Sequence, residues 1–284
     1  MATTSSILII NPNTSIHMTD ALKPIVDGLG YADIQFDYFT PSKEVVTLPD
    51  GRVIHGIPSI DSGEDSAKSA LYCKPFVLPL VAKYDAFLVA CYSAHPLVGI
   101  LKDEIAKVEE KASTGQRRKY VTGIFEASVI TSLSMISSFH FLNAGELSKT
   151  QATDAFGIVS TGSVWKDELS KAVNAMMIGH QQAGGHTDRF IGVETTGLTA
   201  IELHQTPPEV VTRRIIDATQ RLIKNASHPV SAICMGCAGM AGMEDAVRRG
   251  CIEACGPQQG KAVRIVDGVV AGAGLLVAAC KAGF

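Results

Sequence analysis

Two cysteines occupy equivalent places in the two halves of this 284-residue chain. Cys91 ends an apolar run that starts at residue 86, and Cys237 follows the apolar run at residues 232–236. Small or polar residues come after each cysteine, and a segment with a helical pattern follows. This order is typical of a reactive side chain at the carboxyl end of a parallel strand. Two thiols that face each other across a cleft could move a proton from one face of a carbon to the other without a cofactor.

The segments after both cysteines predict a backbone that favours a thiolate. Pro96 suits the first turn of a helix after Cys91, and residues 243–247 begin a helical pattern after Cys237. Because N–H groups at a helix N-terminus stabilise negative charge, we expect the pKa of both thiols to be lowered. The alternative is that each cysteine is a small buried hydrophobic residue, which is common for free cysteine.

The residues alone also allow other roles for the cysteines. Cys234 and Cys237, followed by Cys251 and Cys255, approach the ligand spacing of a structural zinc site. Against this, Cys234 lies inside an apolar strand pattern, and the chain between the two pairs would have to fold back sharply. A thioredoxin-like role for the first pair is disfavoured, since that motif normally opens a helix immediately.

Further polar and glycine-containing motifs are less specific. His95 is the histidine nearest to Cys91 and could form a cysteine-protease dyad, although a capping or solvated histidine is commoner. Residues 11–15 follow the first strand pattern, and their side chains suit either a carboxylate or imide ligand or an N-cap turn. The glycine spacing at residues 272–274 matches a dinucleotide fingerprint poorly and favours close helix packing. The sequence has no Walker or zinc-protease motif.

Composition narrows the class of protein. Hydrophobic residues make up 46% and charged residues 19% of the chain, which predicts a substantial core. The net charge of −3 and a short basic cluster at residues 117–119 disfavour nucleic-acid binding. The apolar run at residues 268–280 falls short of the ~20 residues of a membrane span, and the start of the chain lacks the basic region of a secretory signal. Seven cysteines without secretory features indicate reduced thiols, so we expect a cytoplasmic protein.

Strand patterns alternate with helical patterns along the chain, which predicts an α/β fold with mainly parallel sheets and helices on both faces. Residues 40–63 are predicted to be a loop. Predicted strands cover residues 6–10, 34–38, 86–90, 120–124, 156–160, 189–193, 231–235 and 263–266, and predicted helices cover residues 16–29, 66–81, 96–110, 165–178 and 208–225. Asn13, Cys91, Thr161 and Cys237 follow strand patterns, where ligands of such sheets bind.

Short motifs in order across almost the whole chain resemble the hydantoin/allantoin racemase branch of the aspartate/glutamate racemase superfamily. They are residues 7–15, 56–60, 90–93, 123–128, 156–161 with Trp165, 236–240 and 266–269. The resemblance implies two pseudo-symmetric α/β lobes, each a mainly parallel sheet flanked by helices, with the active site in the cleft between them. The first lobe is expected to contain residues 1–121 and 268–284, and the second lobe residues 122–267.

The resemblance also implies an activity and a set of site residues. The protein is expected to be a cofactor-independent racemase of 5-substituted hydantoins or allantoin, with Cys91 and Cys237 as the two acid–base groups. Its partner is expected to be a small cyclic ureide rather than nucleic acid or a membrane, and the chain is expected to form a homo-oligomer. The residues expected to bind substrate are Asn13, Ser93, Thr161, Gly236 and Ala238.

Other activities of the same superfamily stay open. They include an amino-acid racemase, a maleate isomerase type of enzyme and a ligand-binding relative without catalysis. Two retained cysteines disfavour a one-cysteine decarboxylase, and no clear acidic or polar group for an amino-acid ammonium is identified. Residues 103–120, 139–155 and 250–262 extend beyond the compact bacterial members and are expected to lengthen surface loops, one of which could reshape the site entrance.

Overall fold

The structure is a computed structural model that describes residues 4–111, 117–137, 139–143, 148–151, 154–178 and 187–284. The chain forms two compact units. The first unit comprises Met1–Ala127, Cys237–Ala241 and Gly268–Phe284, and the second comprises Ser128–Gly236 and Gly242–Asp267. The lobe boundaries given by the resemblance stay a prediction.

Strands and helices alternate through most of the chain. It begins with β1 (Ser5–Ile10), α1 (Ile16–Asp27), β2 (Ile34–Phe39), β3 (Val46–Thr47), β4 (Val53–Ile54), α2 (Gly63–Val77), β5 (Ala86–Val89), α3 (Pro96–Glu110), β6 (Tyr120–Gly123) and α4 (Ile124–Met135). There follow β7 (Phe139–Asn143), β8 (Ser148–Gln151), β9 (Ala155–Ser160), α5 (Trp165–Ile178), β10 (Phe190–Thr195) and α6 (Glu202–Gln205). The chain continues with α7 (Pro208–Lys224), β11 (Val230–Gly236), α8 (Glu244–Ala262), β12 (Arg264–Asp267) and α9 (Gly268–Ala282).

The sheet of the first unit is parallel throughout, in the order β2-β1-β5-β6. Its central strands, β1 and β5, are almost completely buried, which explains why they read as continuous apolar runs rather than alternating patterns. Helices α2 and α3 supply much of a core cluster that includes Tyr72, Phe87 and Leu101. Helix α9 contacts β5 and β6. Burial of β1 and β5 therefore fixes where the loops that follow them emerge.

The sheet of the second unit repeats the same pattern, in the order β10-β9-β11-β12 and again with parallel strands. Helix α7 contacts β9, β10 and α8, and its buried residues lie on one face at helical spacing. Strands β7 and β8 form a separate antiparallel pair. The α/β class with parallel sheets flanked by helices is therefore confirmed. Across the described ranges, no helix combines the length and the apolar character that crossing a membrane requires.

Two expectations about loops were wrong. Residues 40–63 contain the antiparallel pair β3–β4, whose two-residue strands are too short to give a strand pattern. Residues 250–262 are not a surface loop, because α8 covers them with one interruption at Gly256, where φ is 82°.

The other two long segments are described only in part. Residues 103–110 belong to α3, and residues 112–116 lie outside the described residues. Strands β7 and β8 occupy much of the segment at 139–155. Residues 144–147 and 152–153 of that segment lie outside the described residues.

Candidate active site

The loops that follow β1 and β5 begin at the carboxyl edge of the first sheet. Backbone hydrogen bonds extend into both loops, because Asn11 N–H donates to the Phe39 carbonyl (3.0 Å) and Ala90 N–H donates to the Ile10 carbonyl (2.8 Å). Cys91 is the next residue, so its backbone position is set by two buried strands. As expected, Cys91 follows the end of a parallel strand.

Side chains on both sides hold the Cys91 loop in place. The hydroxyl of Ser93 lies 3.5 Å from Cys91 Sγ and 3.2 Å from the hydroxyl of Ser66 in α2. The Tyr92 ring meets the Phe125 ring edge-on, with centroids 5.7 Å apart. Ser93 and Tyr92 are both buried, so a thiol on this loop has few positions available.

Cys237 lies in a different kind of turn. It is the first residue after β11 and caps a short 3-10 turn at Ala238–Met240, which belongs to the first unit. Its sulfur accepts a hydrogen bond from the Gly239 N–H at 3.3 Å, and its carbonyl accepts one from the Met240 N–H at 3.0 Å. The turn also contacts α1. Helix α8 starts later, at Glu244, so the predicted helix does not follow Cys237 directly.

The two thiols are close enough to interact. Burial raises the pKa of the Cys91 thiol to about 12; the Ser93 hydroxyl opposes this rise, and the Cys237 thiol adds to it. Burial likewise raises the pKa of Cys237 to about 11, and the backbone N–H groups of Gly239 and Met240 oppose the rise. The structure therefore brings the two predicted catalytic cysteines together in the first unit.

The direction in which the pKa of each thiol is changed corrects a prediction. We expected helix N-termini to lower the pKa of both thiols, but burial outweighs the hydrogen bonds at each position. The hydrogen-bond partner described for Cys91 Sγ is a hydroxyl rather than the backbone, because His95 and not Cys91 caps α3. At neutral pH in the absence of ligand, both groups are therefore mainly thiols.

His95 is a neutral capping residue. Its Nδ1 accepts a hydrogen bond from the Leu97 N–H at 3.2 Å, and burial lowers the pKa of the imidazole to about 4. A neutral ring that accepts at Nδ1 carries its proton on Nε2. The capping alternative for His95 is therefore confirmed, and its accepting nitrogen is not available to take a proton from Cys91.

The expected substrate-binding residues fall into two groups. Ser93 and Ala238 adjoin the cysteines in the first unit. Asn13 is also in the first unit, but its Oδ1 accepts from the Ser15 N–H (2.9 Å) and its Nδ2 donates to Met18 Sδ (3.1 Å), as in a structural turn. The remaining two expected residues lie in the second unit.

These two residues, Thr161 and Gly236, occupy the ends of neighbouring strands in the second sheet. The Thr161 carbonyl accepts from the Gly197 N–H at 3.0 Å, and the Gly236 carbonyl accepts from the Ser160 hydroxyl at 2.7 Å. A Cβ on Gly236 would lie 2.7 Å from Ser160 Cβ, so only glycine fits at this position. Whether Thr161 and Gly236 contact substrate stays a prediction.

The motifs do not single out two acidic residues that lie near the thiols. The charge of Asp61 raises the pKa of both Cys91 and Cys237, and the charge of Glu126 raises that of Cys91. Burial in turn raises the pKa of Glu126, and the nearby backbone N–H groups of residues 123 and 126 oppose this rise. Glu126 lies inside the motif at residues 123–128, and Asp61 directly follows the motif at 56–60, just before a helix-capping serine. An acidic residue next to the N-cap serine of a helix is the sequence signal that could have identified Asp61.

The other cysteines have separate surroundings. Cys234 Sγ lies 3.0 Å from the Ser132 hydroxyl in the second unit, while the Cys255 thiol donates to the Cys251 carbonyl at 3.0 Å within α8. In the part of the chain that the structure describes, no three His, Cys, Asp or Glu side chains are grouped so that they could hold a metal ion.

Comparisons with known proteins give relatives that match almost the whole chain. Residues 7–276 match the family described as Asp/Glu/Hydantoin racemase. A Schizosaccharomyces pombe protein, C1F7.10, is 28% identical over 270 residues, which cover 95% of this chain and 90% of that protein.

Two solved structures share the fold. The allantoin racemase from Klebsiella pneumoniae has a TM-score of 0.64 at 20% identity, and the match covers 99% of this chain and 89% of that one. The allantoin racemase from Pseudomonas fluorescens has a TM-score of 0.67 at 19% identity, covering 98% and 92%. Since the family match extends from residue 7 to residue 276, the chain belongs to the Asp/Glu/Hydantoin racemase family.

Proposed function

We propose that this protein is a cofactor-independent racemase of 5-substituted hydantoins or of allantoin, in which Cys91 and Cys237 are the two acid–base groups. The observation that carries the proposal is the proximity of two thiols on separate loops, close enough for the Cys237 thiol to raise the pKa of Cys91. Family membership supports an isomerase, and the fold shared with two allantoin racemases supports the cyclic ureide.

The reaction needs one thiolate and one thiol. The thiolate takes the proton from C5 of the ring and becomes a thiol, and the electron pair left on C5 delocalises onto the adjacent carbonyl oxygen as an enolate. The second thiol then donates its proton to the opposite face of C5 and becomes the thiolate. The two cysteines have exchanged protonation states, so the enzyme is ready for the opposite enantiomer or for proton exchange with water.

The environment of the thiols has two opposing effects on such a step. A raised pKa lowers the fraction of thiolate at neutral pH, but it makes each thiolate a stronger base toward a weak carbon acid. Backbone donors in the Cys237 turn and the Ser93 hydroxyl are available on the first unit to stabilise negative charge as it develops.

The proposal is tested with Cys91→Ser and Cys237→Ser, measured by the loss of optical rotation of 5-substituted hydantoins and of allantoin. Each variant is expected to lose racemisation by at least ~10²-fold, because a hydroxyl is a far weaker acid–base group than a thiol. Cys255→Ser is the matched control, since its sulfur bonds within α8 in the second unit, and it is expected to keep full activity. Full activity in either of the first two variants would overturn the two-base assignment.

A panel of substrates separates this proposal from other members of the superfamily. Each single variant should still exchange the C5 hydrogen of one enantiomer with deuterium, because it keeps one of the two bases. Turnover of amino acids or maleate but not of ureides would replace the substrate class. Tight ureide binding without turnover would indicate a ligand-binding protein instead.

A further inference from the structure

Asp61 stands out among the groups near the thiols, because its carboxylate has no partner in the described part of the chain. Its backbone is fixed: the Asp61 N–H donates to Asp65 Oδ2 at 3.2 Å, and the Ser62 hydroxyl caps α2 by accepting from the Asp65 N–H at 3.1 Å. Over the described ranges, no hydrogen bond or ion pair satisfies the Asp61 carboxylate, although the residue is only partly exposed.

The segment that carries Asp61 is anchored to the loops that follow β1 and β5. Ser66, one turn into α2, lies with its hydroxyl 3.2 Å from that of Ser93. Ser69, in the next turn, donates to the Pro12 carbonyl at 2.6 Å. The start of α2 therefore cannot move away from the Cys91 loop without breaking buried contacts, so Asp61 is held beside the cysteine loop.

The charge of Asp61 acts on both thiols. Glu126 acts on Cys91, and within the described chain no cation is among the groups that affect either thiol. Forming a thiolate here places a second negative charge beside Asp61, which is unfavourable unless something offsets it. Because no hydrogen bond from the described residues reaches this carboxylate, it is open to water in the free protein and to a donor on a bound ligand.

We propose that Asp61 accepts a hydrogen bond from the N–H group that the substrate carries on its reacting carbon. This inference rests on the proposed function, and it adds which group of the substrate the protein recognises. In a cyclic ureide that group is a neutral ring N–H, and in an amino acid it is an ammonium. Either donor would orient the neighbouring C–H toward the thiols and offset the negative charge that hinders thiolate formation.

The test uses Asp61→Asn in the full chain and two readouts with opposite expected signs. Without ligand, alkylation of Cys91 and Cys237 by iodoacetamide at about pH 8 should become about three- to tenfold faster, because a negative charge beside each thiol is removed. With 5-substituted hydantoins, KM for racemisation should rise by about tenfold, because a charged acceptor is replaced by a weaker neutral one. A variant that had merely lost folded structure would expose every buried thiol, so Cys73 alkylation reports that case.

Glu64→Gln is the matched control, because it removes the same charge from the same helix start. Glu64 is exposed, pairs with Lys68 at 2.8 Å, and its charge is not among those that act on the thiols. It should leave both readouts unchanged. Asp61→Glu should restore slow alkylation and part of the affinity.

A hydantoin methylated at the ring nitrogen next to C5 tests the hydrogen bond to Asp61 separately from the effect of the Asp61 charge on the thiols. The methylated hydantoin should bind the wild type weakly, and Asp61→Asn should worsen its binding little further. Amino-acid enantiomers tested for protection against alkylation form the second arm, since an ammonium should lose far more affinity than a ureide when the charge of Asp61 is removed.

The outcomes separate this inference from the proposed function. If the wild type racemises no ureide, the proposed function fails, yet the alkylation rates and the protection by amino acids or ureides still test Asp61. Unchanged KM, or unchanged protection where no ureide is racemised, would overturn the binding role of Asp61 whatever the alkylation rates in Asp61→Asn.

Discussion

The two thiols share a site but not an environment. Cys237 Sγ accepts from a backbone N–H whose position is fixed by a turn, whereas Cys91 Sγ faces a hydroxyl that can rotate. Asp61 acts on both thiols, and Glu126 adds a second negative charge near Cys91. Burial raises the pKa of each thiol, and at Cys237 backbone N–H donors oppose this rise. We therefore expect Cys237 to carry the thiolate more often in the free enzyme.

This asymmetry predicts an order of alkylation in the ligand-free protein. Below the pKa of both thiols, Cys237 should carry more thiolate than Cys91, and the greater nucleophilicity of the less acidic thiol should reduce this advantage in alkylation rate without removing it. Mass spectrometry of peptides after brief iodoacetamide treatment measures both rates in one sample. Alkylation of both thiols should accelerate as the pH rises through the alkaline range, because a raised pKa places their ionisation there.

Cys73 provides the internal comparison for this measurement. It is fully buried, its thiol donates to the Pro12 carbonyl, and burial raises its pKa to about 12, so it should react last. Equal rates for Cys91 and Cys237, or faster reaction of Cys91, would contradict the assigned asymmetry.

At the scale of the elements, the end of β11 shows how strand packing directs a reactive side chain. Gly236 lies opposite Ser160 in the ladder between β11 and β9, and its carbonyl accepts from the Ser160 hydroxyl. A side chain at Gly236 would approach Ser160 Cβ to 2.7 Å and Ile158 Cγ2 to 2.8 Å. The residue before Cys237 must therefore be glycine for the strand to keep its path up to the cysteine turn.

Gly236→Ala is accordingly expected to displace the end of β11 and to weaken the function of Cys237. Overpacking of this kind costs about 1–3 kcal/mol, which should lower the unfolding midpoint, and racemisation should fall because Cys237 shifts with the strand. Gly162→Ala is the matched control beyond the end of β9, since a Cβ there would have nothing within 4 Å. If the two variants have the same unfolding midpoint and the same racemisation rate, the close contact at Gly236 does not position the cysteine.

Most elements of the fold could be predicted from the sequence, because the central strands are buried on both faces. The predicted strands at residues 6–10 and 156–160 and the predicted helix at 165–178 match the observed elements closely. Residues 250–262 are instead expected to lengthen a surface loop, because they extend beyond the compact bacterial members, but α8 continues through them past the break at Gly256. Local sequence cannot show that packing carries a helix past such a break.

The site was less predictable than the fold. Cysteine spacing placed Cys91 and Cys237 at strand ends, but it could not give the sign of their pKa changes, which depends on burial by distant segments. Asp61 was missed for a related reason, since it acts on the thiols from a separate loop before α2. Tertiary contacts bring such a charge to a site, and no local pattern records them.

At the scale of the whole molecule, elements that follow each other directly in the chain can belong to different units. Helix α9 belongs to the first unit, although β12, which precedes it directly, belongs to the second. It contacts β5 and β6, and its buried face includes Gly272, Ala273 and Leu276. The last helix of the chain therefore supports the strand that ends just before Cys91.

This support predicts that two glycines of α9 respond oppositely to the same substitution. A Cβ on Gly272 would collide with the completely buried side chain of Leu88 in β5, whereas a Cβ on Gly274 would meet nothing closer than the Tyr31 hydroxyl at 3.7 Å. Gly272→Ala should destabilise the first unit by about 1–3 kcal/mol. Gly274→Ala should be neutral or stabilise by up to about 1 kcal/mol, because alanine favours a helix interior. Urea unfolding combined with the alkylation rate of Cys91 measures both effects, since a loosened β5 should expose that thiol. Equal stability and equal Cys91 alkylation in the two variants would show that α9 does not hold the strand on which the site depends.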